Sequence, residues 1–366
     1  MMPSPTGAAG RCTVTGVAQW QAWQATEPPP VERVAAGLWS IPVVIPDNPL
    51  RYVLCYALDS PAGPVLVDPG WPADASWAQL TAGLAQAGHR PEDVSGVLVT
   101  HAHSDHHGLA TRLRDRSGCW IGMHELEAAA LRRLRDGSEV EHRNGSWQRL
   151  CGVPEDERAS LAMDGDRMRT VADLEPDRLI ADGDSDLVPG RRVEAWWTPG
   201  HTPGHLSFRL PDDNLLLTGD HLLPRITSNV STYDPGGPDE LRRYLDSLAD
   251  VSDWSRDRDP EVLPGHEYRF RGVGERVAAV LEHHHERSTE ILAAVRELGP
   301  ATVWEVGARI SWSRSWEQTT GGRRRLALAE TLSHLRHLEL TNRLSVSSGP
   351  PARWTTTALS VQEGTP

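Results

Sequence analysis

The chain carries His101, His103, Asp105, His106 and His107 within seven consecutive residues, just after the apolar run Val97-Leu98-Val99 and Thr100. Five imidazole and carboxylate groups in so short a stretch would be costly inside a hydrophobic core. At the end of a strand they can face an open crevice, where sites of this kind are built. Residues i and i+2 of an extended segment point the same way, so His101 and His103 can grip one ion together. Where the chain turns into the following helix, Asp105 and His106 swing toward a second ion beside the first. Imidazole nitrogen and carboxylate oxygen suit zinc, iron or manganese.

One local motif cannot fill two coordination shells. Three further segments run from an apolar strand through a glycine to a ligand-type residue. They are Trp196-Trp197-Thr198-Pro199-Gly200-His201, Leu215-Leu216-Leu217-Thr218-Gly219-Asp220 and Val262-Leu263-Pro264-Gly265-His266. Glycine lets the backbone turn tightly enough for the next side chain to reach inward. His205 and His221 flank these candidates and read as supports that orient ligands. His107 has no assigned role. The run His283-His284-His285 reads as a solvated helix face, because three consecutive helical residues point in different directions. His334 and His337 belong to the last helix.

The elements that must position these residues are short. Candidate strands are 52–58, 64–67, 96–100, 193–197, 206–210, 214–218 and 262–263, rich in Val and Leu and bounded by Gly, Pro or Asp. Helical spacing appears at 76–87 through Trp77, Leu80 and Leu84, and at 239–248 through Leu241, Tyr244, Leu245 and Leu248. Sheets covered by helices, an α/β fold, follow from that alternation. Residues 1–30 read as a flexible N-terminal arm, 31–270 as the main domain, and 124–190 within it as a helical insertion, either a lid over substrate or a surface elaboration. Residues 271–366 read as a C-terminal helical region. There a long helix ends at Gly299-Pro300. Segments 302–310 and 323–340 follow, then a strand at 344–346 and a returning strand near 354–359, which together outline a small winged-helix-like module.

Bulk properties narrow the partners. The net charge of −13 repels phosphate backbones at long range and argues against a nucleic-acid ligand. Cys12, Cys55, Cys119 and Cys151 are far apart and form no C-x-x-C, so they read as reduced, buried thiols. No basic, then apolar, leader opens the sequence and no stretch is long enough to span a membrane, so a cytoplasmic protein without membrane contact is expected.

The ordered set of residues resembles the metallo-β-lactamase superfamily, with its H-x-H-x-D-H signature and its strand-end His, Asp and His. The resemblance covers residues 35–270 and is strongest to the hydrolase branch that includes glyoxalase II and RNase Z. It implies an αββα sandwich with the site at one edge of two packed sheets. It also implies that His101, His103 and His201 hold a first metal, that Asp105, His106 and His266 hold a second, and that Asp220 bridges them. Asp68, in Leu66-Val67-Asp68-Pro69-Gly70, matches an early aspartate that supports the site. Asp220 stands where some zinc β-lactamases have cysteine, which favours bridged dinuclear hydrolases.

The expected cofactor is therefore a pair of divalent ions, zinc first, with iron or manganese as alternatives. The expected reaction is attack of a metal-bridging hydroxide on a thioester or other acyl substrate, with Asp105 and Asp220 as the catalytic carboxylates. Arg225 and Asn229, on the segment leaving Asp220, are candidates to bind substrate. Two other readings stand beside this one. Arg323-Arg324-Arg325 and the winged-helix-like module suit an endoribonuclease, and the fold suits a mononuclear-iron enzyme resembling persulfide dioxygenases. The C-terminal module equally suits dimerisation, which would give a homodimer.

Overall fold

The computed structural model describes residues 12–135, 137–162, 172–233 and 236–357. In chain order its strands are β1 Thr13–Val14, β2 Glu32–Ala35, β3 Leu38–Val44, β4 Tyr52–Leu58, β5 Val65–Val67, β6 Gly96–Leu98, β7 Trp120–Met123, β8 Arg178–Leu179, β9 Glu194–Trp197, β10 Leu206–Leu210, β11 Leu215–Gly219, β12 Glu261–Pro264, β13 Phe270–Arg271, β14 Leu344–Val346 and β15 Trp354–Thr356. Its α-helices are α1 Val17–Ala25, α2 Asp74–Gln86, α3 Ser104–His107, α4 Ala110–Ser117, α5 Glu125–Arg135, α6 Gly137–Leu150, α7 Glu240–Ser255, α8 Val273–Leu298, α9 Val303–Arg309 and α10 Gly321–Leu340.

The strands form one seven-stranded sheet in the order β2-β3-β4-β5-β6-β7-β8, one six-stranded sheet in the order β1-β13-β12-β11-β10-β9, and a β14-β15 pair. The period of two in a strand explains how the large sheets stack. In β4, Tyr52, Leu54, Tyr56 and Leu58 enter one apolar cluster with Ala195, Leu206, Phe208, Leu215, Leu217 and Leu263 of the other sheet. The alternate residues Val53, Cys55 and Ala57 enter a second cluster with Leu80 and Leu84 of α2 and Leu113 of α4. One face of the seven-stranded sheet thus packs on the other sheet, and its opposite face on helices. Central strands with both faces buried must be apolar throughout, as β4 and β5 are.

The chain divides into two compact units. The first holds the described residues of Met1–Gly137, Asp166–Ser228 and Tyr244–Val280, and with them both large sheets. The second holds those of Ser138–Gly165, Asn229–Arg243 and Leu281–Pro366. The sequence reading drew its lines elsewhere, at 30 and 270, with one insertion at 124–190. Within that stretch, Trp147, Cys151, Val153 and Leu161 share the second unit's core with Ile291, Val303, Leu332 and Trp354. The remainder includes β8, which pairs with β7 at the edge of the large sheet. Residues 163–171 lie outside the described residues, as do 1–11 of the expected arm and the end of the strand sought near 354–359. The described part of that arm is ordered: β1 pairs with β13, and Gln19 of α1 is buried, donating to Ser40 and accepting from the Arg269 amide.

Two sequence readings change in the second unit. Arg324 and Arg325 are buried, not presented to solvent. Arg324 lies over the Trp304 and Trp316 rings and pairs with Glu157, while Arg325 lies over Trp147 and Tyr233 and donates to Asn144. Desolvated cation–π contacts of this kind hold a core together. The triple-histidine run is only in part a solvated face. His285 is exposed, but His284 is buried against His334 of α10, with Nδ1 and Nε2 3.3 Å apart, and Ser288 Oγ lies 2.9 Å from His334 Nδ1. All four cysteines are free and buried.

Burial keeps the His284–His334 pair neutral. It pushes His284 down to about 3 and His334 well below the ordinary range, with the charges of Arg287 and the neighbouring histidines acting in the same direction. In the unfolded chain both imidazoles take up protons near pH 6.5, so their contribution to stability is whole above that pH and is lost as the pH falls through the window below it. The expected loss is about 1 kcal/mol per histidine for each pH unit below 6.5. Denaturant midpoints at pH 7.5 and 5.5 test this. His334→Gln should show a smaller drop between the two than the native chain, and an equal drop would count against the assignment.

Candidate metal centre

The residues singled out in the sequence converge at the ends of β6, β9, β11 and β12 in the first unit. From β6 the chain passes through Thr100 and His101, then enters α3 at Ser104. His101 Nε2 lies 2.9 Å from His103 Nδ1, and His201 Nε2 lies 3.2 Å from the former and 3.1 Å from the latter. Nitrogen ligands about 2.0–2.1 Å from one tetrahedral ion stand roughly 3.3 Å from each other. The three imidazoles are therefore spaced as a ligand face.

A second group meets beside the first. His266 Nε2 lies 3.5 Å from Asp105 Oδ2 and 3.4 Å from Asp220 Oδ1, and His106 Nε2 lies 3.5 Å from the same Asp220 oxygen and 4.0 Å from Asp105 Oδ2. The other oxygen of Asp220, Oδ2, is 3.8 Å from His201 Nε2. One carboxylate thus faces both groups, one oxygen to each. His106 Nε2, His266 Nε2 and Asp220 Oδ1 are buried and make no hydrogen bond. Buried polar atoms are normally paired, so three orphans aimed at one point call for a ligand. Three sets here could hold a metal ion: His101, His103 and His201; His101, His106 and Asp220; and Asp105, His106 and His266.

The protons on these rings are controlled from behind. Asp68 Oδ1 accepts the Thr100 amide at 2.8 Å, and Oδ2 accepts the Thr100 hydroxyl and His106 Nδ1, each at 2.7 Å. With its only proton given to Asp68, Thr100 Oγ1 must accept from His101 Nδ1, 2.9 Å away. His266 Nδ1 donates to the Tyr52 carbonyl at 2.8 Å. Each of the three rings therefore turns Nε2, and not Nδ1, to the centre, the nitrogen that can give up its proton to a metal ion. Among the supports, His205 Nε2 accepts the Asp220 amide at 3.3 Å and its Nδ1 donates to Thr198 Oγ1 at 2.9 Å. His221 sits against His205 and Tyr244, away from the convergent atoms. His107, at the end of α3, is buried and joins none of the three sets.

The field at the centre is strongly negative. Burial alone would lower His106 and His266, but Asp220 and the other carboxylates outweigh it, holding His106 well above its usual range and His266 up at about 10. Burial alone would raise Asp105 and Asp220, yet the imidazoles hold both carboxylates far below theirs. His101 goes the other way, pushed down by burial and by the imidazoles around it. A site that attracts protons this strongly to His106 and His266 would equally hold a cation.

Close packing explains two of the glycines. A β-carbon on Gly265 would lie 2.8 Å from both Asp220 Oδ1 and His106 Cε1. Gly219, at φ +46°, leaves 2.8 Å to His205 Nε2 and Thr100 Oγ1. The candidate substrate residues each have a carboxylate partner. Arg225 pairs with Glu267 at 2.7 Å and lies over the Trp23 ring, and Asn229 donates to Glu330. Sequence reasoning did not find Thr100, the Tyr52 carbonyl or Glu127, whose carboxylate reaches the backbone on both histidine loops. No local motif marks any of the three.

Comparison with known proteins agrees with this geometry. Residues 48–266 match the sequence profile of the Metallo-beta-lactamase superfamily. A metallo-beta-lactamase family protein from Thermus thermophilus superposes with a TM-score of 0.76 at 29% identity, covering 89% of this chain and 100% of that one. A beta-lactamase domain protein from Burkholderia ambifaria gives 0.72 at 26%, covering 89% and 93%. Among curated sequences, a beta-lactamase-like protein 2 homolog from Caenorhabditis elegans is 23% identical over 78% of this chain and 80% of its own length. An atrochrysone carboxyl ACP thioesterase from Aspergillus fumigatus is 25% identical over 66% of this chain and 59% of its own length.

Asp68 sits at φ +54°, a conformation that asparagine tolerates. Asp68→Asn should therefore fold but place an amide donor against Thr100 or His106. Divalent-metal affinity should fall about 10–100-fold, as measured by chelator competition. Unchanged affinity would mean that His106 is oriented by something else.

Proposed function

This chain belongs to the metallo-beta-lactamase superfamily, and on that premise we propose that it is a two-metal hydrolase of thioesters or other acyl compounds. The observation that carries the reading is Asp220. Its two oxygens face the two histidine groups, as a bridging ligand requires. In this reading His101, His103 and His201 hold the first ion, Asp105, His106 and His266 the second, and Asp220 both. Nitrogen and oxygen ligands without cysteine suit zinc, iron or manganese.

Divalent ions at such a site supply Lewis-acid polarisation of a substrate carbonyl and bring a water molecule's pKa down toward neutrality. The chain's own residues supply the rest. Thr100, Asp68 and the Tyr52 carbonyl fix which imidazole nitrogens face the centre. Asp220, kept ionised by His266 and His106, would offer an anionic oxygen to each ligand group. Asp105 adds a second carboxylate on the His266 side.

The acyl reading is supported by the thioesterase among the relatives. The endoribonuclease reading loses its main argument, because Arg324 and Arg325 are committed to aromatic stacks and are not a cationic surface.

Metal analysis of the purified protein should find about two zinc or manganese ions per chain. A panel of thioesters, lactones, β-lactams and single-stranded RNA should show turnover of an acyl substrate. Asp220→Ala should cut kcat/KM at least about 100-fold. One iron with oxygen uptake, or cleavage of RNA alone, would overturn the proposal.

A further inference from the structure

We infer that Glu127 is a positioning residue, a carboxylate clamp that sets the spacing of the His101, His103 and His201 group. The inference rests on the two-metal reading above and deepens it. Glu127 lies in the first turn of α5 and is almost fully buried. Its Oε2 accepts the amide N–H of Ala102 at 2.6 Å, and its Oε1 accepts the amide N–H of Gly204 at 2.7 Å. Ala102 stands between His101 and His103, and Gly204 stands between His201 and His205. One side chain therefore ties together two loops that are 100 residues apart at their histidines.

The chemistry of the clamp is specific to a carboxylate. Both partners are donors, and a carboxylate is the side chain that offers an acceptor to each without bringing a donor of its own. Both bonds from backbone N–H to the carboxylate are short. An amide in the same place could accept from one loop but would set its NH2 group against the other.

Gly204 supplies a second, independent sign that the contact is built in. A β-carbon there would lie 2.9 Å from Glu127 Oε1, 3.0 Å from Glu127 Cγ and 2.8 Å from His124 Nδ1. The backbone of the 201–205 loop can approach the carboxylate only because this residue has no side chain. His124 helps to hold the other side, because its carbonyl accepts the Glu127 amide and its ring lies parallel to Trp197, which leads into the loop. The second ligand group is oriented by different residues, namely Asp68 behind His106 and the Tyr52 carbonyl behind His266. In the two-metal reading the clamp therefore bears directly on the His101, His103 and His201 group, through the backbone of both its loops.

The test is a zinc titration of the full-length, metal-stripped protein against a chromophoric chelator, comparing native chain, Glu127→Gln and Gly204→Ala. Glu127→Gln should weaken one of the two zinc-binding steps by about 10–100-fold and leave the other within about twofold. Gly204→Ala, which displaces the same carboxylate, should reproduce that split. A residue that served only general stability would weaken both steps together and lower the melting temperature in parallel, and that result would overturn the clamp. So would two unchanged steps in Glu127→Gln. A native chain that binds no zinc would overturn the two-metal reading and the clamp with it. A native chain that binds two, with Glu127→Gln unaffected, would overturn the clamp alone.

Discussion

A buried imidazole can present a lone pair only if its other nitrogen gives its proton away. At this centre His106 gives its proton to Asp68, His101 to Thr100, and His266 to a main-chain carbonyl. Asp68 is the root of two of these arrangements, because it receives the Thr100 hydroxyl as well as His106. It occupies a positive-φ turn directly after β5, where the chain leaves the sheet. The cost of that backbone conformation and of burying a carboxylate is offset by three hydrogen bonds converging on one side chain.

The sheets make such precision attainable. Strands β5, β6 and β4 are buried on both faces, one against the second sheet and one against helices. Their ends are consequently fixed: Asp68 directly follows β5, His101 and His103 follow β6, and Tyr52 opens β4. Tyr52 illustrates the coupling. Its ring belongs to the layer between the sheets, its carbonyl accepts from His266, and its hydroxyl donates to the carbonyl of Glu267. Core packing and imidazole orientation are set there by one residue.

Much of the centre was legible from the sequence because its signals are local. Ligand-type side chains crowd behind an apolar strand at 101–106, and glycine precedes His201, Asp220 and His266. Strands such as β4 and β10 were equally plain, the first as a continuous apolar run and the second as apolar residues alternating with Ser207 and Arg209. β3 and β7 were not, since Pro42 in one and Gly122 in the other interrupt the pattern. The supports were hidden for a different reason. Glu127 and the Tyr52 carbonyl act across tens to hundreds of residues through backbone groups, and nothing in composition or spacing announces that. Charge was the most misleading signal. Arg324 and Arg325 read as groups available to a ligand, yet each is already satisfied by a carboxylate, carbonyls, an amide or aromatic faces.

The stacked arginines of α10 also bear on how this chain would meet a protease. Arg323-Arg324-Arg325 is an inviting sequence for an enzyme that cuts after arginine. With Arg324 held against two indole rings, Arg325 against an indole and a phenol ring, and the peptide bonds wound into a helix, the segment withholds those two side chains and the extended backbone that cleavage requires. Nicking at this point would therefore mark chains in which the second unit had opened, which turns a basic tripeptide into a built-in reporter of that unit's integrity.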